Sequence, residues 1–183
     1  MPGLHAITAD ARLYGLHCTL KPPMRLATSY PAFRADAAAL ARSLAPFALP
    51  PLAVADLSGF LALRETRPSP ELHALADACV AAVDHHRAPP DAAELARRRK
   101  GGLSPEGEAM LHRWGYPGVF GLWRFHMTLT RRLAPADRAL LQPAATQHFA
   151  ASLPHPRRVA ELCIFTQASY GAPLLIGERL PFG

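Results

Sequence analysis

The tetrapeptide His-x-Thr-Leu stands twice in this chain, as His17-Cys18-Thr19-Leu20 and as His126-Met127-Thr128-Leu129. Each copy is followed by a helical run and then by strand-like runs, and Val54-Ala55-Asp56-Leu57-Ser58-Gly59-Phe60 after the first copy answers Val159-Ala160-Glu161-Leu162-Cys163-Ile164-Phe165 after the second. A supersecondary unit repeated within one small domain packs about a pseudo-two-fold axis, which brings equivalent strands to the centre. The expected fold is therefore α+β: two pseudo-symmetric strand-helix-strand-strand lobes around a central cleft, with a helical connection between them. Residues 1–183 are read as one domain, with lobe one over about 1–66, the connection over about 67–122 and lobe two over about 123–183.

Local signals fill in the elements. A strand is expected from Leu13 to Leu20, ended by Lys21-Pro22-Pro23 because proline cannot donate to a ladder. Apolar spacing predicts a helix from Tyr30 to Leu44, and the runs Leu52 to Leu57 and Gly59 to Arg64 read as a hairpin. Ser69-Pro70-Glu71 and Ser104-Pro105-Glu106 each carry an N-cap serine with proline at the first helical position. They open helices to about Asp84 and Gly115, with a polar helix from Asp91 to Arg99 between them. A strand over Arg124 to Thr130, a helix over Pro135 to Ser152 disturbed by Pro143, and strands near Val159 to Thr166 and Leu174 to Leu180 complete the expectation.

Charge and cysteine usage narrow the function classes. The formal net charge is +6, with clusters at Arg97-Arg98-Arg99-Lys100, Arg131-Arg132 and Arg157-Arg158. Such a balance favours anionic partners, a small phosphate ester or nucleotide or else RNA, although an arginine-rich solvated surface would look the same. Cys18, Cys79 and Cys163 are odd in number and set among apolar neighbours, so they read as reduced core thiols. No apolar run approaches the roughly 18 residues of a membrane span, and the first residues lack a leader pattern, so a cytoplasmic location without a membrane partner is expected. The oligomeric state is left open.

On an extended strand, residues i and i+2 share a face. His17 and Thr19 then point one way while Cys18 and Leu20 anchor the other, and His126 and Thr128 repeat the arrangement over Met127 and Leu129. Imidazole exchanges a proton near neutral pH and a threonine hydroxyl donates to a phosphate oxygen. Two of each suit in-line displacement at a phosphodiester, with one histidine as general base and the other as general acid.

The doubled His-x-Thr-hydrophobic motif resembles that of the 2H phosphoesterase superfamily, which includes RNA 2′,3′-cyclic phosphodiesterases. More narrowly, Tyr14-Gly15-Leu16-His17-Cys18-Thr19-Leu20-Lys21-Pro22-Pro23, Phe47-Ala48-Leu49-Pro50, Arg113-Trp114-Gly115-Tyr116-Pro117 and Arg124-Phe125-His126-Met127-Thr128-Leu129-Thr130 are similar to the DUF1045 family of phosphonate-metabolism-associated proteins. The resemblance implies catalytic roles for His17 and His126 and phosphate-binding roles for Thr19 and Thr128. Tyr14 stands before the first motif as in the family, and the period-two rule sets Lys21 and Arg124 on the histidine faces, which makes these three secondary candidates. Family members carry a further N-terminal segment with a strand, whereas residues 1–13 alone precede Tyr14, so an incomplete first lobe is expected.

The activity implied is metal-independent hydrolysis of a sugar or nucleotide cyclic phosphate, with no cofactor and no metal. Two other readings compete with it. One is a non-catalytic nucleotide- or RNA-binding protein that retains the cleft. The other is a metal-dependent phosphohydrolase built on Asp84-His85-His86, against which stands the lack of a recognisable ligand spacing or matching acidic partner.

Overall fold

In the computed structural model, which describes residues 3–183, the chain is mixed α and β and its contacts divide it into two units. Of the described residues, the first unit comprises those up to Thr19, Pro46–Ser69 and Phe125–Arg179, and so holds both His-x-Thr motifs. The second comprises Leu20–Ala45, Pro70–Arg124 and Leu180–Gly183.

The first unit begins with two short helices, α1 (Leu4–Ile7) and α2 (Ala9–Arg12), which bury Ile7 and Ala11. Strands β2 (Leu52–Leu57) and β3 (Phe60–Glu65) form the expected hairpin, turned at Ser58-Gly59 where both residues take positive φ. β3 then pairs with β4 (Met127–Thr128), Ala62 opposite Thr128 and Leu63 opposite Met127. The second motif is tied further to β3 beyond that short ladder. Leu129 N–H donates to Leu61 O at 2.9 Å, and Leu61 N–H donates to the Thr130 hydroxyl at 3.0 Å. Leu61, Ala62 and Leu63 are all buried, so this strand forms the floor against which the second motif is registered.

Two further pairings complete the unit. β1 (Phe47–Leu49) runs antiparallel to β5 (Arg157–Val159), with Ala48 opposite Arg158, and β6 (Glu161–Gln167) pairs with β7 (Leu174–Pro181). Helix α7 (Pro135–Phe149) packs on β2, where Arg138 pairs with Asp56 at 2.8 Å, and it continues through Pro143. The order short strand then hairpin thus occurs twice, as β1–β2–β3 and β5–β6–β7. Two details of the expected repeat need correcting. Val159 closes β5 and β6 begins at Glu161, so Leu52, not Val54, stands as far behind His17 as Glu161 does behind His126. The strand from Leu13 to Leu20 also does not form, and that segment has no ladder partner among the described residues. Leu13 O does accept from Leu174 N–H at 2.7 Å, but Gly15 then takes a left-handed φ of 65° and turns the chain before a ladder can propagate.

The second unit is helical. Helix α3 (Tyr30–Ser43) is capped by the Ser29 hydroxyl and turns an alanine face, Ala37, Ala38 and Ala41, inward. Its small side chains allow close approach to α4 (Pro70–Val83), which buries Leu72, Leu75, Ala76, Cys79, Val80 and Val83. Helix α5 (Ala92–Arg99) is capped by Asp91, and α6 (Pro105–Trp114) opens at Ser104 and ends on left-handed Gly115, all as the cap residues dictate. A Cβ at Gly115 would also meet the Arg87 guanidinium at 3.0 Å. Among the described residues no helix is long and apolar enough to cross a membrane.

Candidate active site

The turn at Gly15 sets up the first histidine. Its carbonyl lies 3.2 Å from His17 Nδ1, and Thr19 Oγ1 lies 3.1 Å from His17 Nε2. A carbonyl can only accept, so in the neutral ring Nδ1 carries the proton and donates to Gly15 O. The lone pair is then on Nε2, where the Thr19 hydroxyl donates to it. His17 and Thr19 therefore do share one side of the chain, although no strand holds them there. The Tyr14 ring stands edge-on to His17 at 5.9 Å between centroids. Burial, and secondarily the Asp10 carboxylate, push the Tyr14 phenol above its usual range, so it remains a protonated donor.

The second motif reaches the first through Cys18. Burial pushes the Cys18 thiol up to about 12, while a hydrogen bond from the His126 backbone pulls the other way, which sets His126 directly against the first motif. The aromatic neighbours are exchanged between the two halves of the chain. His17 packs on Phe165 of β6 at 5.1 Å, and His126 packs edge-on to Phe60 of β3 at 6.0 Å. Both imidazoles are half-buried, as are Thr19 and Thr128. Sequence patterning marked Phe60 and Phe165 as strand residues and missed them as ring supports. Phe60 opens β3 whereas Phe165 lies within β6, so the two are not equivalent positions of the repeat and the sequence carried no signal for their role.

Lys21 and Arg124 carry other partners. Neither lies on a strand, and both belong to the helical unit. Lys21 Nζ donates to Asp84 Oδ1 at 2.8 Å and to Val80 O at 3.3 Å. The Arg124 guanidinium turns back onto the carbonyls of Gly121 and Trp123, at 2.9 and 2.7 Å. Desolvation lowers the Lys21 ammonium by more than Asp84 restores. Asp84 is desolvated too, yet hydrogen bonds from Arg87 and Lys21 outweigh that and hold it below the usual carboxylate range. The two directions describe one cluster in which a carboxylate has two cations and each cation shares one carboxylate, so Asp84 is the firmly ionised member. Part of the basic surface is likewise committed locally: Arg98 pairs with Glu94 and covers the Tyr116 ring, and Arg99 pairs with Glu108.

The model of a family described as a protein of unknown function, DUF1045, matches residues 19–175. The chain is 40% identical over 188 residues to a protein of Janthinobacterium sp. (strain Marseille) named ribose 1,5-bisphosphate phosphokinase PhnN, covering 98% of this chain and 41% of that protein. It is 39% identical over 166 residues to a protein of the same name from Laribacter hongkongensis (strain HLHK9), covering 90% of this chain and 38% of the relative. The chain thus spans about two-fifths of the length of these relatives. No solved structure matches.

Proposed function

This chain belongs to the DUF1045 family, and from that premise we propose that it is a two-histidine phosphodiesterase of the 2H kind acting on a cyclic sugar phosphate. The observation that carries the reading is the gathering of both His-x-Thr motifs in one unit, each histidine seated on a phenylalanine from the other half of the chain and the two motifs joined at Cys18 and His126. His17 is the general base, because Gly15 O fixes the proton on Nδ1 and leaves Nε2 to accept. It takes a proton from water as the water oxygen bonds to phosphorus. The bond from phosphorus to one ring-closing oxygen breaks on the opposite side, and His126 gives that oxygen its proton. One water is consumed, one phosphomonoester forms, and the two imidazoles have exchanged protonation states. With substrate bound the Thr19 hydroxyl turns from Nε2 to a non-bridging oxygen, which frees the Nε2 lone pair for the water's proton, and the Thr128 hydroxyl donates to a second such oxygen as charge builds.

The relatives' name supplies a substrate class. It describes a kinase of ribose 1,5-bisphosphate, yet the P-loop pattern Gly-x-x-x-x-Gly-Lys-[Ser/Thr] does not occur in this chain, where neither Lys21 nor Lys100 follows a glycine. Hydrolysis of a 1,2-cyclic phosphate on ribose 5-phosphate, with the bond to O2 broken, yields ribose 1,5-bisphosphate. We therefore assign this chain the step that supplies the substrate named for its longer relatives, in keeping with the phosphonate-metabolism association of the family. The test is phosphorus NMR of ribose 5-phosphate 1,2-cyclic phosphate and of nucleoside 2′,3′-cyclic phosphates incubated with chelator-treated protein. Conversion of the sugar phosphate to a 1,5-bisphosphate is expected. Turnover of nucleoside substrates alone would replace the sugar reading with an RNA-end one, and no turnover of either would overturn the phosphodiesterase.

A further inference from the structure

The helical unit contains a second cluster of titratable groups, which takes no part in the chemistry above. Helix α3 carries Asp36, and a 3₁₀ turn directly after α4 carries His85 and His86. The Nε2 atoms of both histidines lie 3.0 Å from the same oxygen, Asp36 Oδ2, and the ligand atoms of all three residues lie within 4.8 Å of one another. Asp84 adjoins these histidines in the sequence but is not the carboxylate they meet. The fold supplies Asp36 instead, while Asp84 is taken by Lys21 and Arg87.

The cluster is built rather than incidental. His86 is 3% exposed, and its remaining nitrogen, Nδ1, is held by the Thr28 hydroxyl at 2.5 Å. Its carbonyl accepts from Ala27 N–H at 2.8 Å, and Phe33 stands edge-on to its ring at 5.7 Å. The His85 ring lies over that of His86 with centroids 3.9 Å apart, and His85 and Asp36 are open to solvent. As a pure hydrogen-bond arrangement this asks one carboxylate oxygen to accept two N–H groups from overlapping rings. With both Nε2 atoms deprotonated, two ring nitrogens and a carboxylate oxygen instead offer lone pairs within 4.8 Å of one another.

The metrics of the cluster suit a metal. Zinc binds His nitrogen and Asp oxygen at about 2.0–2.2 Å in a tetrahedron, which sets donor atoms about 3.3 Å apart. Each 3.0 Å contact need open by only about 0.3 Å to reach that spacing, while the two nitrogens, which lie within 4.8 Å of one another, draw together toward it. Thr28 already occupies the place of an outer partner, since its hydroxyl can accept from Nδ1–H once Nε2 binds a metal. Two imidazoles and one carboxylate favour zinc-class ions over magnesium or calcium, which take oxygen donors. The exposed side leaves room for a fourth, solvent ligand.

We propose that Asp36, His85 and His86 form a binding site for a divalent transition-metal ion of the zinc class, which fastens α3 to the end of α4. The site is independent of the phosphodiesterase reading, and chelation should leave that turnover intact at temperatures where the chain stays folded. The experiment is titration of tag-free, chelator-stripped protein with zinc ion by calorimetry, with cobalt ion as an optical probe and melting temperature as a second readout. One equivalent should bind with a Kd below about 10 µM and raise the melting temperature. Asp36→Asn keeps a hydrogen-bond acceptor for both histidines, and His85→Ala changes an exposed side chain, so both should fold with a native near-ultraviolet spectrum. Each should weaken zinc binding by about tenfold or more and lose the thermal shift, and Thr28→Val should weaken it by about 10–100-fold. Absence of saturable binding by the wild type, or wild-type affinity retained in both Asp36→Asn and His85→Ala, overturns the site.

Discussion

Replacing Thr130 with valine tests how the second motif is held. The Thr130 hydroxyl accepts the N–H of Leu61, both residues are buried, and Leu61 is only 1% exposed. Valine keeps the shape and removes the acceptor, which leaves a buried N–H unpaired at a cost of about 1–3 kcal/mol. The added methyl returns up to about 0.8 kcal/mol of apolar burial. The net loss centres on about 1.5 kcal/mol, or a fall of about 3–6 °C in melting temperature for a chain of this size. Urea unfolding followed by far-ultraviolet dichroism should show a lower midpoint with an unchanged slope, and Thr130→Ser should recover most of the loss. A Thr130→Val protein within about 0.5 kcal/mol of wild type would refute the view that this bond registers the second motif on β3.

Other predictions follow from the same contacts. Thr19→Val removes the hydroxyl partner of His17 Nε2 and, with Thr128→Val, should raise KM for a cyclic phosphodiester while leaving the melting temperature within about 2 °C of wild type; steady-state kinetics and a thermal scan check both. Asp84→Asn should lower stability at neutral pH, but less so in acid. The folded carboxylate is held below its unfolded value near 3.9, so its contribution is complete above that value and fades as pH falls through the depressed one. The melting-temperature gap between wild type and Asp84→Asn should narrow between about pH 5 and pH 2, and a constant gap would count against the pairing. Thiol titration with an aromatic disulfide at mild alkaline pH should show Cys163 reacting first, because burial pushes Cys18 and Cys79 up to about 12. Two fast thiols in the native protein would contradict that burial.

Elements written in local chemistry were legible in the sequence. Serine caps with prolines at first helical positions marked α4 and α6, apolar spacing marked α3 and a polar run marked α5, all within a residue or two, and the strand-like runs on either side of Ser58 marked the β2–β3 hairpin. The histidine motifs were visible because they repeat. What stayed hidden depends on distant partners. The Leu13–Leu20 segment alternates like a strand, but a strand needs a neighbour, and the left-handed turn at Gly15 denies it one. β1 and β5 are three residues each and exist only because they face one another. Helices α1 and α2 are too short for a periodic signal and are fixed by burying Ile7, whose carbonyl accepts from Arg131 N–H at 2.8 Å. Asp36 meets His85 and His86 from about fifty positions away, a distance no spacing rule covers.

The central claim is that His17 and His126 work as one acid–base pair, and the pH dependence of kcat/KM on a cyclic phosphodiester tests it most directly. Wild type should give a bell whose acid limb reports the base and whose alkaline limb reports the acid, with apparent values that belong to the pair. His17→Ala and His126→Ala should each lose about 10²–10⁴-fold in rate. The residual activity of His17→Ala should lack the acid limb, that of His126→Ala should lack the alkaline limb, and chelator should change neither profile. A rate that climbs steadily to high pH and collapses with chelator, or a single variant that keeps more than about a tenth of the wild-type rate, would contradict the account.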